Sequence, residues 1–175
     1  DVENFAWEQL EAWPGPSRAL NSTVTQNNGE NDCIYVIGGR RIGNDGQIEF
    51  LNDVYEFNPA KPESPWRKRA NLRYPRMAGT AVAIGQNHIS LLAGDDGSLF
   101  TKADELRDAH PGFTKTILAY HTITDTWIED GLMPQNQVTT HAVPWGDDIL
   151  LASGEVRPRV RTRDVWKVSL LKSES

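Results

Sequence analysis

The chain has 175 residues and a formal net charge of −6, with 38% apolar and 24% charged residues, a composition typical of one globular domain. No apolar run approaches the roughly 20 residues of a membrane-spanning helix, and an acidic chain lacks the basic surface that broad nucleic-acid binding needs. We therefore expect neither a membrane nor nucleic acid as a partner. The single cysteine, Cys33, excludes an internal disulfide framework and a cysteine-rich zinc site.

The sequence begins Asp-Val-Glu, without Met and without a signal sequence, so we expect a mature, trimmed or excised product. The 6 Trp, 14 Gly and 10 Pro favour many short strands joined by turns. The first of these predicted strands is at 5–10 and carries Trp7, with no glycine-ended apolar run ahead of it.

Three series of residues recur in the same order along the chain. The first is a glycine that ends an apolar run: Gly39, Gly94 and Gly154. The second is a tryptophan: Trp7, Trp66 and Trp127. The third is an aromatic residue that follows each glycine: Tyr55, Tyr120 and Trp166. The glycines are 55 and 60 residues apart and the tryptophans 59 and 61, so the sequence predicts an internal repeat.

Each repeat unit predicts four short strands, of which the second ends in the glycine, the third carries the aromatic residue and the fourth carries the tryptophan. Residues 104–110 predict one helical turn inside a connection. Four-stranded units at this period indicate β-propeller blades, and the order of glycine, aromatic and tryptophan resembles kelch repeats over nearly the whole chain.

The predicted fold is therefore all-β: a kelch-type β-propeller with three four-stranded blades in this chain. Because known propellers have four or more blades, we expect these three to be half of a six-bladed ring. Residues 1–15 are the last strand of a blade completed elsewhere, and 16–75 form the next blade. Residues 76–135 form a blade with a long loop at 95–116, and 136–175 form an incomplete blade.

The two ends of the sequence predict complementary parts of one blade, since the last unit lacks its tryptophan strand and the first segment is such a strand. Two interpretations remain open. The chain is either one half of a divided propeller or pairs head to tail with a second copy, in which case Trp7 of each copy completes the other's final blade. An unpaired sheet edge favours association in both cases.

Residues 154–163 form the densest polar cluster, with one glutamate and four arginines at alternate positions: Glu155, Arg157, Arg159, Arg161 and Arg163. In an extended segment this alternation places the arginines on one side. Because Pro158 is incompatible with a regular central ladder, we expect a loop. Arginine suits the binding of carboxylates and phosphates, which favours an anion site. The alternative is a solvated hairpin with surface arginines.

A second candidate segment is the long connection between Gly94 and Tyr120, since long loops on a rigid scaffold often carry function. It contains His110, a possible acid–base group, and Phe113, a possible stacking face for a sugar ring. The alternative for His110 is a histidine that caps the turn before Pro111. Arg40 follows Gly39 at the position equivalent to Glu155, and either lines the same opening or is a surface charge.

The pattern of Gly154-Glu155, Pro158 and Arg161-Thr162 after a propeller strand resembles the kelch-type sialic acid mutarotases, or N-acetylneuraminate epimerases. The runs 110–113 (His-Pro-Gly-Phe) and 116–120 (Thr-Ile-Leu-Ala-Tyr) resemble the cyclically permuted branch of that family. Arg159 departs from the motif, which commonly has glycine there.

The resemblance implies an isomerase that interconverts the α and β anomers of N-acetylneuraminate by acid–base ring opening. It places the catalytic roles on Glu155 and Arg161. The charged and aromatic positions described above supply the candidate substrate-binding residues: Arg157, Arg163, His110, Phe113 and Arg40. It implies no metal or other cofactor, and a bacterial periplasmic or secreted location. The other half of the ring, or a second copy of the chain, is the implied protein partner.

Two other functions compete with this one. Many propellers are non-catalytic modules that bind a glycan or a protein, because a fold does not determine a function. A copper oxidase on a kelch scaffold needs a reactive cysteine. Cys33 lies at the start of an apolar strand, where it is expected to pack as a small core residue.

Overall fold

The structure, a computed structural model, describes residues 6–169, and within that range the chain forms three antiparallel sheets. The first sheet has the order β1-β2-β3-β4: Ser22–Asn27, Asp32–Ile42, Ile48–Phe57 and Arg67–Arg69. The second has the order β5-β6-β7-β8: Thr80–Ile84, His88–Leu92, Thr116–His121 and Thr126–Leu132. The third has the order β9-β10-β11: Ala142–Trp145, Asp148–Arg157 and Val160–Ser169. The all-β prediction is confirmed.

Helical structure is confined, within the described range, to the long connection between β6 and β7. Two 3-10 turns, Phe100–Lys102 and Arg107–Ala109, flank a short helix α1, Ala103–Leu106. The helical turn predicted at 104–110 is thus confirmed and extends further toward the N-terminus. None of these helices is long and apolar enough to cross a membrane.

The described residues do not test the predicted blade that the two ends of the chain would share. Residues 6–12 form no strand in the structure, and Phe5 lies outside the described residues. The third sheet has three strands within residues 6–169. The pairing of the N-terminal segment with a sheet of another half therefore stays a prediction.

Strand register corrects the aromatic series. Tyr120 lies opposite Ile89, and Phe57 lies opposite Ile34. Ile89 precedes Gly94 by five residues and Ile34 precedes Gly39 by five residues, so the two isoleucines are equivalent in the repeat. Tyr120 therefore corresponds to Phe57, and its assignment to the position of Tyr55 is wrong. The sequence offered two aromatic residues in β3, and only register distinguishes them.

Stacking on the tryptophans supports this correction. The ring centroids of Phe57 and Trp66 are 4.9 Å apart, and those of Tyr120 and Trp127 are 4.7 Å apart. Both pairs lie close to parallel, with interplanar angles of 26° and 30°. Each four-stranded sheet thus packs its tryptophan on the same aromatic position, which buries apolar area at the edge of the sheet.

Two apolar clusters hold the sheets together. The first lies between the first two sheets and consists of residues that are almost fully buried: Cys33, Tyr35, Ile37, Val54, Leu72, Ile89, Leu91 and Tyr120. The second joins the second and third sheets: Val82, Leu92, Ala93, Met133, Ile149 and Leu151. The free Cys33 is 0% exposed, which confirms its prediction as a core residue.

A series of backbone bonds also connects the sheets, through the residues that precede their first strands. The N–H of Ala78 donates to the carbonyl of Leu20 at 2.8 Å, and the N–H of Thr139 donates to the carbonyl of Ala78 at 2.8 Å. All three residues have left-handed backbone angles, with φ of 59°, 57° and 58°. Within residues 6–169, no further bond continues the series beyond Leu20 or Thr139.

The repeated glycines are required by the backbone at these junctions. Gly39 and Gly154 have φ of 102° and 119°, a region that side chains rarely adopt. A Cβ at Gly39 would lie 2.8 Å from the Ala19 carbonyl, and one at Gly154 2.8 Å from the Val138 carbonyl. The glycines thus let each second strand approach the segment before its sheet, which positions the residues that follow.

Candidate functional site

A cavity of about 440 Å³ lies beside the positions of the repeated glycines in the three sheets. The residue after each glycine lines it: Arg40, Asp95 and Glu155. Each of the three forms an isolated antiparallel bridge with the segment before its own sheet: Ala19, Met77 and Val138 respectively. The repeat therefore brings one cation and two carboxyl groups from three sheets to one cavity.

The helical connection forms a second wall of the cavity. Phe100 and Asp104 line it from the helical turns, and His110 and Phe113 line it from the following loop. The guanidinium of Arg40 lies 5.5 Å from the centroid of the Phe100 ring, a cation–π contact. The wall thus combines aromatic faces with charged groups, as sites for polar ligands commonly do.

His110 is buried, with 7% of its surface exposed. Its Nδ1 accepts a hydrogen bond from the N–H of Gly112 at 3.0 Å, so the histidine caps the turn around Pro111. Its ring centroid lies 6.1 Å from that of Phe113. The structure therefore joins the two alternatives raised by the sequence: His110 caps the turn and also lines the cavity.

The loop predicted at 154–163 is a β-hairpin, so that prediction is wrong. β10 continues to Arg157 and β11 begins at Val160, with Pro158 and Arg159 forming the turn. Proline is compatible with the hairpin because a turn position needs no ladder N–H. The alternative of a solvated hairpin describes the backbone correctly.

The four arginines of this hairpin do not converge on one point. Arg157 donates to the Asp108 carboxylate and to the Arg107 carbonyl, both at 2.8 Å. Arg161 and Arg163 are exposed and are not among the residues that line the cavity. The turn reverses the chain in the middle of the alternating series, so the one-sided placement that a continuous extended segment would give does not apply.

Arg159 is the one of these four arginines that lines the cavity. A nitrogen of its guanidinium lies 2.6 Å from a carboxylate oxygen of Asp104 on α1. Its backbone N–H donates to the carboxylate of Glu155. The hairpin turn is therefore bound both to the helical wall and to the carboxylate that the motif singled out.

Glu155 and Arg161 lie directly opposite each other in the hairpin. Residues directly opposite in an antiparallel pair project from the same face, so the register brings the two proposed catalytic residues together. Glu155 is half-buried and lines the cavity, whereas Arg161 is exposed. The catalytic roles of both residues stay predictions.

Asp95 is a cavity residue that sequence reasoning missed. Burial raises its pKa above the ordinary range, and the neighbouring Asp96 acts in the same direction. The N–H of Gly97, which donates to its carboxylate at 2.9 Å, and the positive charge of Arg40 oppose this shift. The repeat contained the signal, because Asp95 follows Gly94 as Glu155 follows Gly154.

Replacing Asp95 by asparagine is expected to raise the free energy of unfolding at neutral pH, since the raised pKa means that folding disfavours the ionised carboxyl. The amide oxygen keeps the bond from Gly97. The gain should shrink as the pH falls toward about 4, the ordinary pKa of an aspartate, and should vanish below it, where the carboxyl is protonated in both states. Urea unfolding across this pH range measures it. A variant that is equally less stable at every pH would contradict the prediction.

In the described part of the chain, no group of three or more His, Cys, Asp or Glu side chains is arranged to hold a metal ion. The polar groups of the cavity are instead arginines, carboxyls and one histidine. This set suits proton transfer and the binding of an anionic, hydroxylated ligand.

Comparison with known proteins places this site in context. The chain is similar to the N-acetylneuraminate epimerase of Haemophilus influenzae (strain PittEE), with 26% identity over 181 residues that cover 90% of the chain. It is similarly 26% identical over 193 residues to the N-acetylneuraminate epimerase of Yersinia pestis (strain Pestoides F), covering 95% of the chain. No family model matches. The resemblance to N-acetylneuraminate epimerases is confirmed, and membership of a permuted branch stays a prediction.

A solved structure shows the same fold. The structure of YjhT superposes on 98% of this chain with a TM-score of 0.80 and 20% sequence identity. The chain spans 54% of that structure, and 46% and 47% of the two epimerases. It therefore corresponds to about half the length of the proteins that it resembles.

Proposed function

We propose that this chain contributes the catalytic hairpin of an isomerase that interconverts the α and β anomers of a sialic acid. One observation carries the proposal: the repeat sets Glu155 in the wall of a cavity beside Arg40, Asp95 and Arg159. The similarity to N-acetylneuraminate epimerases over nine-tenths of the chain supplies the substrate class.

The reaction opens a hemiketal ring and closes it again on the opposite face. A base removes the proton of the anomeric hydroxyl, the bond to the ring oxygen breaks, and an acid protonates that oxygen. Rotation about the bond beside the new carbonyl exposes its other face before the ring closes and the proton transfers reverse. Glu155 is the proposed group for both transfers: its carboxylate takes the proton from the anomeric hydroxyl and then returns it to the ring oxygen. Arg161, its neighbour across the hairpin, is proposed to stabilise charge that develops on oxygen.

The remaining predicted site residues are proposed to bind substrate. Arg40, His110 and Phe113 line the cavity, and a ring of hydroxyls can pack against Phe113. Arg157 and Arg163 are not among the cavity-lining residues, so they are proposed to contact substrate from the rim of the cavity. No metal or organic cofactor is needed for this chemistry.

We further propose that the three sheets are three blades of a kelch-type propeller, half of a six-bladed ring. The share of the YjhT structure that the chain covers supports this, as does the series of backbone bonds through Leu20, Ala78 and Thr139. In a closed ring the next unit would donate to the Thr139 carbonyl and the preceding one would accept from the Leu20 N–H. The rest of the propeller, or a second copy, would then complete the cavity.

Sedimentation equilibrium of the chain tests which partner completes the ring. A discrete compact dimer would assign the missing half to a second copy. A monomer, or open-ended aggregation through exposed sheet edges, would assign it to a separate half. The proposed bacterial periplasmic or secreted location is tested separately by cell fractionation.

The decisive experiment for the function is exchange between the anomers of N-acetylneuraminate, followed by NMR with the chain in its complete assembly. Acceleration above the spontaneous rate is expected. Calorimetry with the same sugar tests the alternative, a non-catalytic module that binds a glycan or a protein. Binding without accelerated exchange would favour that alternative and overturn the isomerase.

A further inference from the structure

We propose that Arg159 binds the carboxylate of the sugar acid, which replaces Asp104 as the partner of the guanidinium. This assignment rests on the proposed function, because it names the group that recognises the acid at the same site. It places recognition of the carboxylate at the turn of the hairpin, and Arg161 keeps the proposed role of stabilising charge that develops on oxygen.

The position of Arg159 is the first reason. It lines the cavity beside Glu155, whereas Arg161 and Arg163 are exposed outside the lining. Arg157 is committed to the 3-10 turn Arg107–Ala109 through bonds to Asp108 and to the Arg107 carbonyl. Among the hairpin arginines, Arg159 is therefore the one whose charge faces a ligand in the cavity.

The partner of Arg159 is the second reason. The ion pair between Arg159 and Asp104 is short, 2.6 Å, but the two side chains are 80% and 78% exposed. Exposed ion pairs of this kind contribute little to stability because solvent screens them, so a competing carboxylate can displace one. Asp104 also lines the cavity, so it occupies the place that a ligand carboxylate would take. A bound sugar would exclude water and strengthen the new pair.

The backbone of Arg159 is the third reason. Its φ is 67°, in the left-handed region where glycine is unstrained and a long side chain is not. Its N–H donates to the Glu155 carboxylate, which fixes the turn relative to the proposed base. Strain held at a cavity wall is consistent with a side chain that the site uses.

Arg40 is the main rival for the carboxylate, since it also lines the cavity. Its guanidinium lies against the Phe100 ring, 5.5 Å from the centroid, and its charge acts on Asp95. Arg40 thus already has an aromatic and an anionic neighbour within the wall. Asp104, the partner of Arg159, is exposed, so a ligand carboxylate replaces it more easily than it replaces the neighbours of Arg40.

The test compares binding of N-acetylneuraminate and of its uncharged methyl ester by calorimetry, with the chain in its complete assembly. Arg159→Gly removes the cation and suits the left-handed turn, so it should fold. We expect it to weaken binding of the acid about tenfold or more and to leave the ester unchanged. Arg159→Lys should restore part of the loss. Asp104→Asn frees the arginine and should strengthen binding of the acid about two- to fivefold.

Lys61→Gly is the matched control, because it removes another exposed, ion-paired cation from a turn, and Lys61 is not among the cavity-lining residues. It should not change either affinity. Equal binding of the acid by Arg159→Gly and the parent would overturn the inference while accelerated exchange still upheld the function. Loss of the preference for the acid in Arg40→Ala alone would assign the carboxylate to Arg40. If the parent protein binds neither sugar, the proposed function fails, and the role of Arg159 with it.

Discussion

Replacing Glu155 by glutamine is expected to slow exchange between the anomers of N-acetylneuraminate by about 100- to 10,000-fold, the usual range for loss of a general base. Glutamine keeps the size of the side chain and an oxygen that accepts the N–H of Arg159, so the hairpin turn is preserved. The substitution removes the carboxylate that takes up the proton of the anomeric hydroxyl. NMR exchange measurements at several enzyme concentrations give the rate directly.

Arg161→Ala is the companion variant and should have a smaller effect than Glu155→Gln. Arg161 lies opposite Glu155 in the hairpin but is exposed and outside the cavity lining. Unfolding measurements on both variants establish that the fold is intact. If neither substitution changes the exchange rate, the assignment of the catalytic residues is wrong.

Much of the fold was accessible from the sequence because its signals are local and repeated. Gly39 and Gly154 lie inside β2 and β10 at shifts of the strand register, and Gly94 follows β6, so the predicted strand ends at Gly39 and Gly154 are wrong. The backbone at all three needs angles that favour glycine, so the pattern recurs wherever the geometry does. Aromatic residues were harder to place. Tyr55 and Phe57 lie two residues apart on β3, and only the opposing strand shows which is equivalent to Tyr120.

The candidate site was predicted less completely, because its contacts join residues that are distant in the chain. Arg157 pairs with Asp108 and Arg159 pairs with Asp104, which lie in another unit of the repeat. The turn at Pro158 and Arg159 also interrupts the alternation of the four arginines. Alternate residues share a face only within one continuous strand, and the sequence did not show where the strand ends. Asp95 is different: applying the repeat to the residue after Gly94 would have found it.

A buried ion network surrounds the carboxylate of Glu56 and stabilises the fold. Glu56 is 1% exposed and accepts a hydrogen bond from the Tyr35 hydroxyl at 3.1 Å. Two arginines of β4 face its carboxylate: Arg67 at 3.3 Å and Arg69 at 3.5 Å. Their side chains differ in burial, with 62% of Arg67 and 8% of Arg69 exposed. The two arginines therefore form a matched pair of test positions on one carboxylate.

Arg69 also joins the first sheet to the second. It donates to the Tyr120 hydroxyl at 2.9 Å and to the Thr122 carbonyl at 2.6 Å. Burial raises the pKa of Tyr120, so its hydroxyl stays protonated and donates to Asp125 at 2.7 Å. Removing Arg69 thus takes the buried cation away from Glu56 and leaves it paired with the exposed Arg67. It also removes the donor to the Thr122 carbonyl and breaks a contact between sheets.

Arg69→Met is therefore expected to lower the free energy of unfolding by about 3–5 kcal/mol, the range found when one partner of a buried ion pair is removed. Arg67→Met removes the same charge from the same carboxylate but should cost less than about 1 kcal/mol, because solvent screens the exposed side chain. Urea unfolding of the chain in its complete assembly, at neutral pH, measures both. Similar losses for the two variants would show that burial does not control the strength of this network. The difference between them measures the burial of Arg69 together with its further contacts to Tyr120, Thr122 and Asp125, since strand, charge and the Glu56 carboxylate are shared.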